Sequence, residues 1–246
     1  MIAVDRLSKV YGDVTAVQDL SFDVPGGQVL GLVGPNGAGK TTTLRAIAGI
    51  IRPTSGAIAL DGVSLADQPT QAKRALAFIP DEPQLFEYLT VEEHLRFVAR
   101  VYNVADAEAR IGPLLAELEL TEKRRAFPSE LSRGMKQKLA TACGLLHDPK
   151  VLILDEPLTG LDPAAIRRMK KTIQARAQAG TAVILSSHLL TLVEELCHRV
   201  LLLQHGRLVV LGTIPEIVAE RPELAGRPLE DVFLALTGQS EVQSTT

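Results

Sequence analysis

Apolar residues change their spacing along this chain, and the changes outline its elements. Over the first thirty residues they alternate with polar ones, at Ile2 and Val4, Val14 and Ala16, then Leu20, Phe22 and Val24, with turns at Tyr11-Gly12-Asp13 and Pro25-Gly26-Gly27. Period-two alternation marks strands with one covered face, so the spacing predicts a small antiparallel sheet. Val29 to Val33 is a continuous apolar run, and a helix-like run follows from Thr42 to Ile50. Pro53-Thr54-Ser55-Gly56 turns into a short strand at Ala57 to Leu60, Asp61-Gly62 turns again, and Leu76 to Ile79 reads as a strand ending at Pro80. From Thr90 to His147 the period becomes helical. Val91, Leu95, Val98 and Val101 form a stripe, Thr90 and Glu93 have capping-box spacing, and Leu114, Leu115 and Leu118 continue the pattern. Gly112-Pro113 is expected to break or restart that helix. Met135, Leu139, Ala142 and Leu146 mark a further helix, and Val151 to Leu154 has the unbroken apolar character of a parallel strand covered on both faces. Thr181 to Leu185 reads as another strand, and Val232, Phe233 and Leu236 give a last helix over Leu229 to Gly238.

Two loops in this pattern carry candidate chemistry. Between the apolar run and the first helix stands Gly34-Pro35-Asn36-Gly37-Ala38-Gly39-Lys40-Thr41, a G-x-x-x-x-G-K-[ST] loop. Glycines let consecutive backbone N–H groups face phosphate oxygens, and the following helix adds its positive N-terminal end. Lys40 is expected to reach the β- and γ-phosphates of ATP and the Thr41 hydroxyl to ligate Mg²⁺; the ATP-binding set runs from Gly34 to Thr42. The second loop begins where the strand Val151 to Leu154 ends in Asp155 and Glu156. Ligands sit at the carboxyl ends of such strands. Asp155 is therefore expected on the Mg²⁺ and Glu156 on the attacking water as general base. Alone, the same pattern would be a strand ending in a polar turn. Leu131-Ser132-Arg133-Gly134-Met135-Lys136-Gln137 opens the helix ahead of that strand, with Ser132 as N-cap and Gly134 keeping the backbone open to an anion.

Taken together, these motifs resemble the ATP-binding-cassette (ABC) ATPases, whose Leu-Ser-Gly-Gly-Gln signature occupies the place of residues 131–137. Arg133, Met135 and Lys136 depart from that consensus in the manner of the exporter branch, while Ser132 and Gly134 keep its phosphate-contacting positions. The resemblance extends over nearly the whole chain. It implies that Tyr11 stacks on adenine, that Leu161-Asp162 forms the loop crossing a dimer interface, and that His188 in Ser186-Ser187-His188 contacts the γ-phosphate. After Ile79-Pro80 the family usually places Gln, and this chain has Asp81. An aspartate can still engage Mg²⁺ or its water through oxygen but lacks the amide donor, so Asp81 is expected to act in coupling rather than as the base. Fold class follows as α/β, a P-loop NTPase core with an N-terminal antiparallel β subdomain and a helical insertion. The chain reads as one domain over 1–246: core at 1–80 and 149–214, helical insertion at 81–148, and helical tail at 215–246.

Family members work as head-to-tail dimers with ATP between the phosphate loop of one subunit and the signature helix of the other. The resemblance therefore implies a second copy or a homologous subunit, and membrane permease subunits contacted near residues 81–102. The alternatives are an ABC ATPase acting on DNA or ribosomes, disfavoured by a single set of motifs without heptad repeats, and an inactive regulatory cassette, disfavoured by Lys40, Asp155, Glu156 and His188.

Composition narrows the picture a little further. With 26 basic and 29 acidic residues the net charge is −3, which argues against broad electrostatic attraction to nucleic acid. Arg167, Arg168, Lys170 and Lys171 share a helix with the apolar stripe Ile166, Met169, Ile173 and Ala177, and read as its solvated face; Lys123 to Arg125 reads as a surface turn. Cys143 and Cys197 sit in apolar helical patterns and are expected to be buried free thiols. No leader-like start and no apolar run near 20 residues is present, so a cytoplasmic location is expected, and the resemblance implies that it is peripheral on the inner face of the cell membrane through a permease partner.

Overall fold

The computed structural model describes residues 1–219, 224 and 226–238. Strands β1 (Ile2–Tyr11) and β2 (Val14–Val24) pair antiparallel around the Gly12-Asp13 turn, where Tyr11 faces Val14. β4 (Ser55–Leu60) lies on the other side of β1, and β5 (Val63–Ser64) completes a sheet of order β2-β1-β4-β5. The alternating N-terminal segment thus forms the expected antiparallel sheet.

The continuous apolar runs form a second sheet. It holds β3 (Val29–Val33), β6 (Leu76–Ile79), β7 (Val151–Asp155), β8 (Ala182–Ser186), β9 (Arg199–Gln204) and β10 (Arg207–Gly212), in the order β10-β9-β3-β8-β7-β6. All neighbours are parallel except β9 and β10. Parallel pairing demands crossover connections, which here are helical. They are α1 (Lys40–Ile47), α2 (Pro69–Arg74), α3 (Val91–Tyr102), α4 (Ala107–Glu117), α5 (Arg133–Leu145), α6 (Pro163–Gln178) and α7 (Leu190–Leu196). α8 (Ile214–Ala219) and α9 (Leu229–Thr237) follow the last strand.

Both faces of the sheet are covered over its central strands, which explains why β3, β7 and β8 are buried at every position. In β7, Val151 and Ile153 pack with Ile2, Leu20 and Leu32 between the two sheets. Their neighbours Leu152 and Leu154 pack on the opposite face with Leu139, Leu145 and Ile173. Each such side chain, fully removed from water, contributes roughly 1.5–3 kcal/mol before the entropy of ordering it is subtracted. A third cluster seats Leu229 and Val232 of α9 against Val193 and Leu202. Residues 239–246 of the expected tail lie outside the described residues. Among the described residues no helix is long and apolar enough to cross a membrane.

Two expectations are corrected. The buried face of α3 is Val91, His94, Leu95 and Ala99, whereas Val101 is 59% exposed. Val101 stands about a quarter turn from the centre of that face, because a spacing of three accumulates a lag on a helix of about 3.6 residues per turn. Helix α4 runs unbroken through Pro113. Burial of Ile111, Leu114 and Leu115 outweighs the lost backbone bond. The basic residues of α6 lie on its solvated face as expected: Arg167, Arg168 and Lys171 are exposed, and Arg168 pairs with Glu119 and Lys170 with Glu195.

Because Pro113 is exposed inside a continuous helix, Pro113→Ala restores a donor without opening a cavity. The variant is expected to gain about 1–3 kcal/mol, read as a higher urea midpoint at unchanged slope. A lower midpoint would mean that the proline shapes this segment.

Candidate functional site: the phosphate-loop cleft

The glycine-rich loop leaves the end of β3, which is buried at all five positions and held between β8 and β9. Contacts with neighbouring elements fix its shape. The Gly206 N–H donates to Ala38 O at 3.0 Å, and a Cβ on Gly39 (φ 103°) would stand 2.4 Å from Ala16 O. Only glycine combines that close approach with a left-handed backbone. Helix α1 starts at Lys40 with no acidic residue in its first turn and no side-chain cap, so its positive end is left for an external anion. The Lys40 ammonium donates to Gly34 O at 2.7 Å and Pro35 O at 3.1 Å. Burial pulls its pKa below the usual lysine value, against the opposing pull of Glu156 and Asp155.

The acidic pair stands beside this loop at the end of β7. Asp155 is buried, and its carboxylate accepts a 2.6 Å bond from the Ser186 hydroxyl on the neighbouring strand β8. Glu156 has left-handed backbone geometry, φ 50°, which costs a non-glycine residue about 1–3 kcal/mol. Its N–H donates at 3.2 Å to both Ser186 O and Ser186 Oγ, which hold the strained residue in place. The Glu156 carboxylate lies 2.8 Å from His188 Nδ1 and accepts from the His188 N–H at 3.3 Å. Burial pushes the Glu156 pKa above the ordinary carboxylate range, with His188 and Lys40 opposing.

These groups converge on an open cleft of about 280 Å³ lined by Ala16, residues 36–42, Asp155 and Glu156. The other expected site residues are placed outside its lining. Tyr11 is 46% exposed at the end of β1, with the Lys9 ammonium 4.8 Å from its ring centre. Ser132 caps α5 by accepting from Met135 N at 3.2 Å, and a Cβ on Gly134 would meet Gly160 O at 2.9 Å. Asp162 caps α6, its carboxylate accepting from Ala164 N and Ala165 N at 2.9 Å each. Of the three expected metal ligands, Thr41 and Asp155 line the cleft; Asp81 does not, and its carboxylate instead accepts a 3.1 Å bond from Arg133.

The family model for ABC transporters matches residues 17–159. The chain belongs to the ABC transporter family. It is similar to the ABC-type transporter ATP-binding protein EcsA of Bacillus subtilis, 35% identical over 239 residues and 96% of each chain. It is 39% identical over 220 residues to the Nod factor export ATP-binding protein I of Paraburkholderia xenovorans, covering 89% of this chain and 72% of that one. A solved ATP-binding subunit of an ABC transporter superposes with a TM-score of 0.92 at 38% identity, over 96% of this chain and 99% of that chain.

Two features of this cassette escape its sequence motifs. Ser186 ties Asp155 to β8 and fastens Glu156, yet in sequence it is only a polar residue ending an apolar strand; the parallel β7–β8 pairing that opposes it to Asp155 was the missing signal. Ala16 enters the cleft from β2, and an alanine on an edge strand carries no sequence signal at all. Cys143 and Cys197 are free and half-buried by whole-residue exposure, with thiols sunk deeply enough that burial pushes both up to about 12.

The raised Glu156 pKa has a consequence for stability. Between its unfolded and folded values the native state holds the extra proton, so this group's contribution falls as pH rises through that window and stays unfavourable at neutral pH. Glu156→Gln removes the buried charge. It is expected to raise the denaturation midpoint at neutral pH, with the advantage shrinking as pH falls through that window and gone below the ordinary carboxylate value. A variant less stable than the parent at neutral pH would show that the His188 and Lys40 contacts outweigh burial.

Proposed function

We propose that this chain is the ATP-binding and ATP-hydrolysing subunit of an ABC transporter, that the transporter is an exporter, and that the chain drives separate membrane-spanning subunits. The observation that carries this is the convergence of the glycine-rich loop, the uncapped start of α1, Lys40, Asp155 and Glu156 on one cleft. Backbone N–H groups at the start of α1 would bind the phosphates, and Lys40 would exchange its loop carbonyls for phosphate oxygens. The Thr41 hydroxyl and Asp155 carboxylate are hard oxygen donors on one cleft, the set that Mg²⁺ takes alongside substrate phosphates. When bound, the ion would neutralise charge on the transferred phosphoryl group. Glu156 would accept the proton of the water that attacks the γ-phosphorus as ADP leaves, and its raised pKa suits that task at neutral pH. His188, bonded to Glu156 through Nδ1, would orient the carboxylate and leave its second ring nitrogen for the γ-phosphate.

Ser132 and Gly134 do not line the chain's own cleft, so a signature contact to ATP would come from a second copy or a homologous subunit. An exposed aromatic surface supports a membrane-spanning partner. Phe86 and Phe97 meet edge-on at 5.1 Å, Val101 continues their side of α3, and Tyr88 is 88% exposed nearby in sequence. The loop bearing Phe86 is tied down by buried His94, which accepts from the Phe86 N–H at 2.9 Å. The exposed Phe86–Phe97 pair fits an interface better than solvent. The Nod factor relative is named for export, which supports the direction of transport. The subunit would then lie at the cytoplasmic face of the membrane, held by its permease. No observation favours a DNA or ribosome substrate.

Glu156→Gln is expected to keep Mg-ATP affinity while lowering kcat by about 10²–10⁴-fold, whereas Lys40→Ala is expected to weaken nucleotide binding itself. Hydrolysis by the glutamine variant at the parent rate would overturn the assigned base. In sedimentation with Mg-ATP, Glu156→Gln is expected to form a dimer that is absent without nucleotide and weakened by Ser132→Arg. A monomer persisting at saturating ATP and high protein concentration would contradict the shared site.

A further inference from the structure

The two positions where this chain departs most plainly from the cassette pattern, Asp81 after β6 and Arg133 in the signature turn, touch each other. The Arg133 guanidinium donates to Asp81 Oδ1 at 3.1 Å across 52 residues of sequence. The stem of Arg133 also lies against the loop that follows β7, since a Cβ on Gly160 would meet Arg133 Cδ at 3.1 Å and Cγ at 3.3 Å. That loop begins with Glu156, and the Thr159 N–H closes it by donating to Glu156 O at 3.2 Å. One side chain, on the first residue of α5, therefore touches two other segments: the loop leaving β6 and the loop leaving β7.

A second tie runs beside it. Gln137, one turn along α5 and buried, donates from Nε2 to Pro80 O at 3.3 Å. Gly134 meanwhile seats the backbone of α5 against Gly160 O. The start of α5 is thus wedged between the ends of two neighbouring parallel strands, β6 and β7. Beyond Asp81, the β6 loop leads to Phe86 and the exposed aromatic surface.

Taking the chain as the ATPase described above, we propose that Arg133 is a positioning residue that holds the Glu156 loop in register with the Asp81 loop. Both partners of the ion pair are about half exposed, at 56% and 41% of their side chains. Exposed pairs of this kind add little to stability. What the pair fixes is relative orientation, through a planar guanidinium that a lysine would not reproduce.

The test is a double-mutant cycle on Mg-ATP hydrolysis by the full chain, with Arg133→Ala, Asp81→Ala, the double variant and the charge-swapped pair Arg133→Asp with Asp81→Arg. Each single variant is expected to lower kcat about fivefold with KM and the denaturation midpoint unchanged. The double variant is expected to match either single variant, and the swapped pair to recover none of the loss, because an aspartate at 133 lacks the stem that lies against Gly160. Arg133→Lys is expected to behave like Arg133→Ala. Independent, multiplying losses would overturn the link, as would kcat unchanged in both single variants, or losses that simply track a fallen midpoint. Should the parent chain itself fail to hydrolyse ATP, the ATPase assignment fails rather than the coupling, and the two are thereby told apart.

Discussion

Coverage of the parallel sheet on both faces is the constraint on which the rest of this molecule depends. With apolar side chains of β3, β7 and β8 packed above and below, no polar group can leave the sheet through its faces without an unpaired burial penalty. Polar chemistry is therefore confined to the strand ends. There the glycine-rich loop after β3, the acidic pair after β7 and His188 after β8 emerge side by side, because their strands are adjacent in the sheet. Strand order, more than any single contact, assembles the site.

Within that frame the cleft is held in tension. Asp155 and Glu156 oppose the desolvation of Lys40, while burial raises the proton affinity of Glu156, whose backbone is strained at φ 50°. Ser186 answers both demands at once, donating to Asp155 and accepting from the Glu156 backbone. Such stored strain accords with the proposed role of Glu156, since it costs stability and remains because neighbouring groups fix it.

What was legible in the sequence follows from the range of each interaction. The strands Val29–Val33 and Leu76–Ile79 and the capping box at Thr90 and Glu93 are local features, and they appear at the expected residues. The glycine-rich loop and the strand-end acids were readable because their chemistry imposes a fixed spacing. Long-range pairings were not readable. The Arg133–Asp81 bond joins residues that no local pattern relates, the Ser186–Asp155 bond depends on strand order, and the continuity of α4 through Pro113 depends on what packs beneath it. Val101 belongs to the apolar stripe of α3 yet is exposed, because a spacing of three lags behind the helical turn.

The central claim, that ATP phosphates bind to the backbone at the start of α1, is tested most directly by amide hydrogen exchange on the purified chain with and without Mg-ATP. The account predicts that added protection concentrates in residues 36–42, the backbone that lines the cleft, and is lost in Lys40→Ala. Protection centred elsewhere, with the 36–42 amides unchanged at saturating nucleotide, would contradict it.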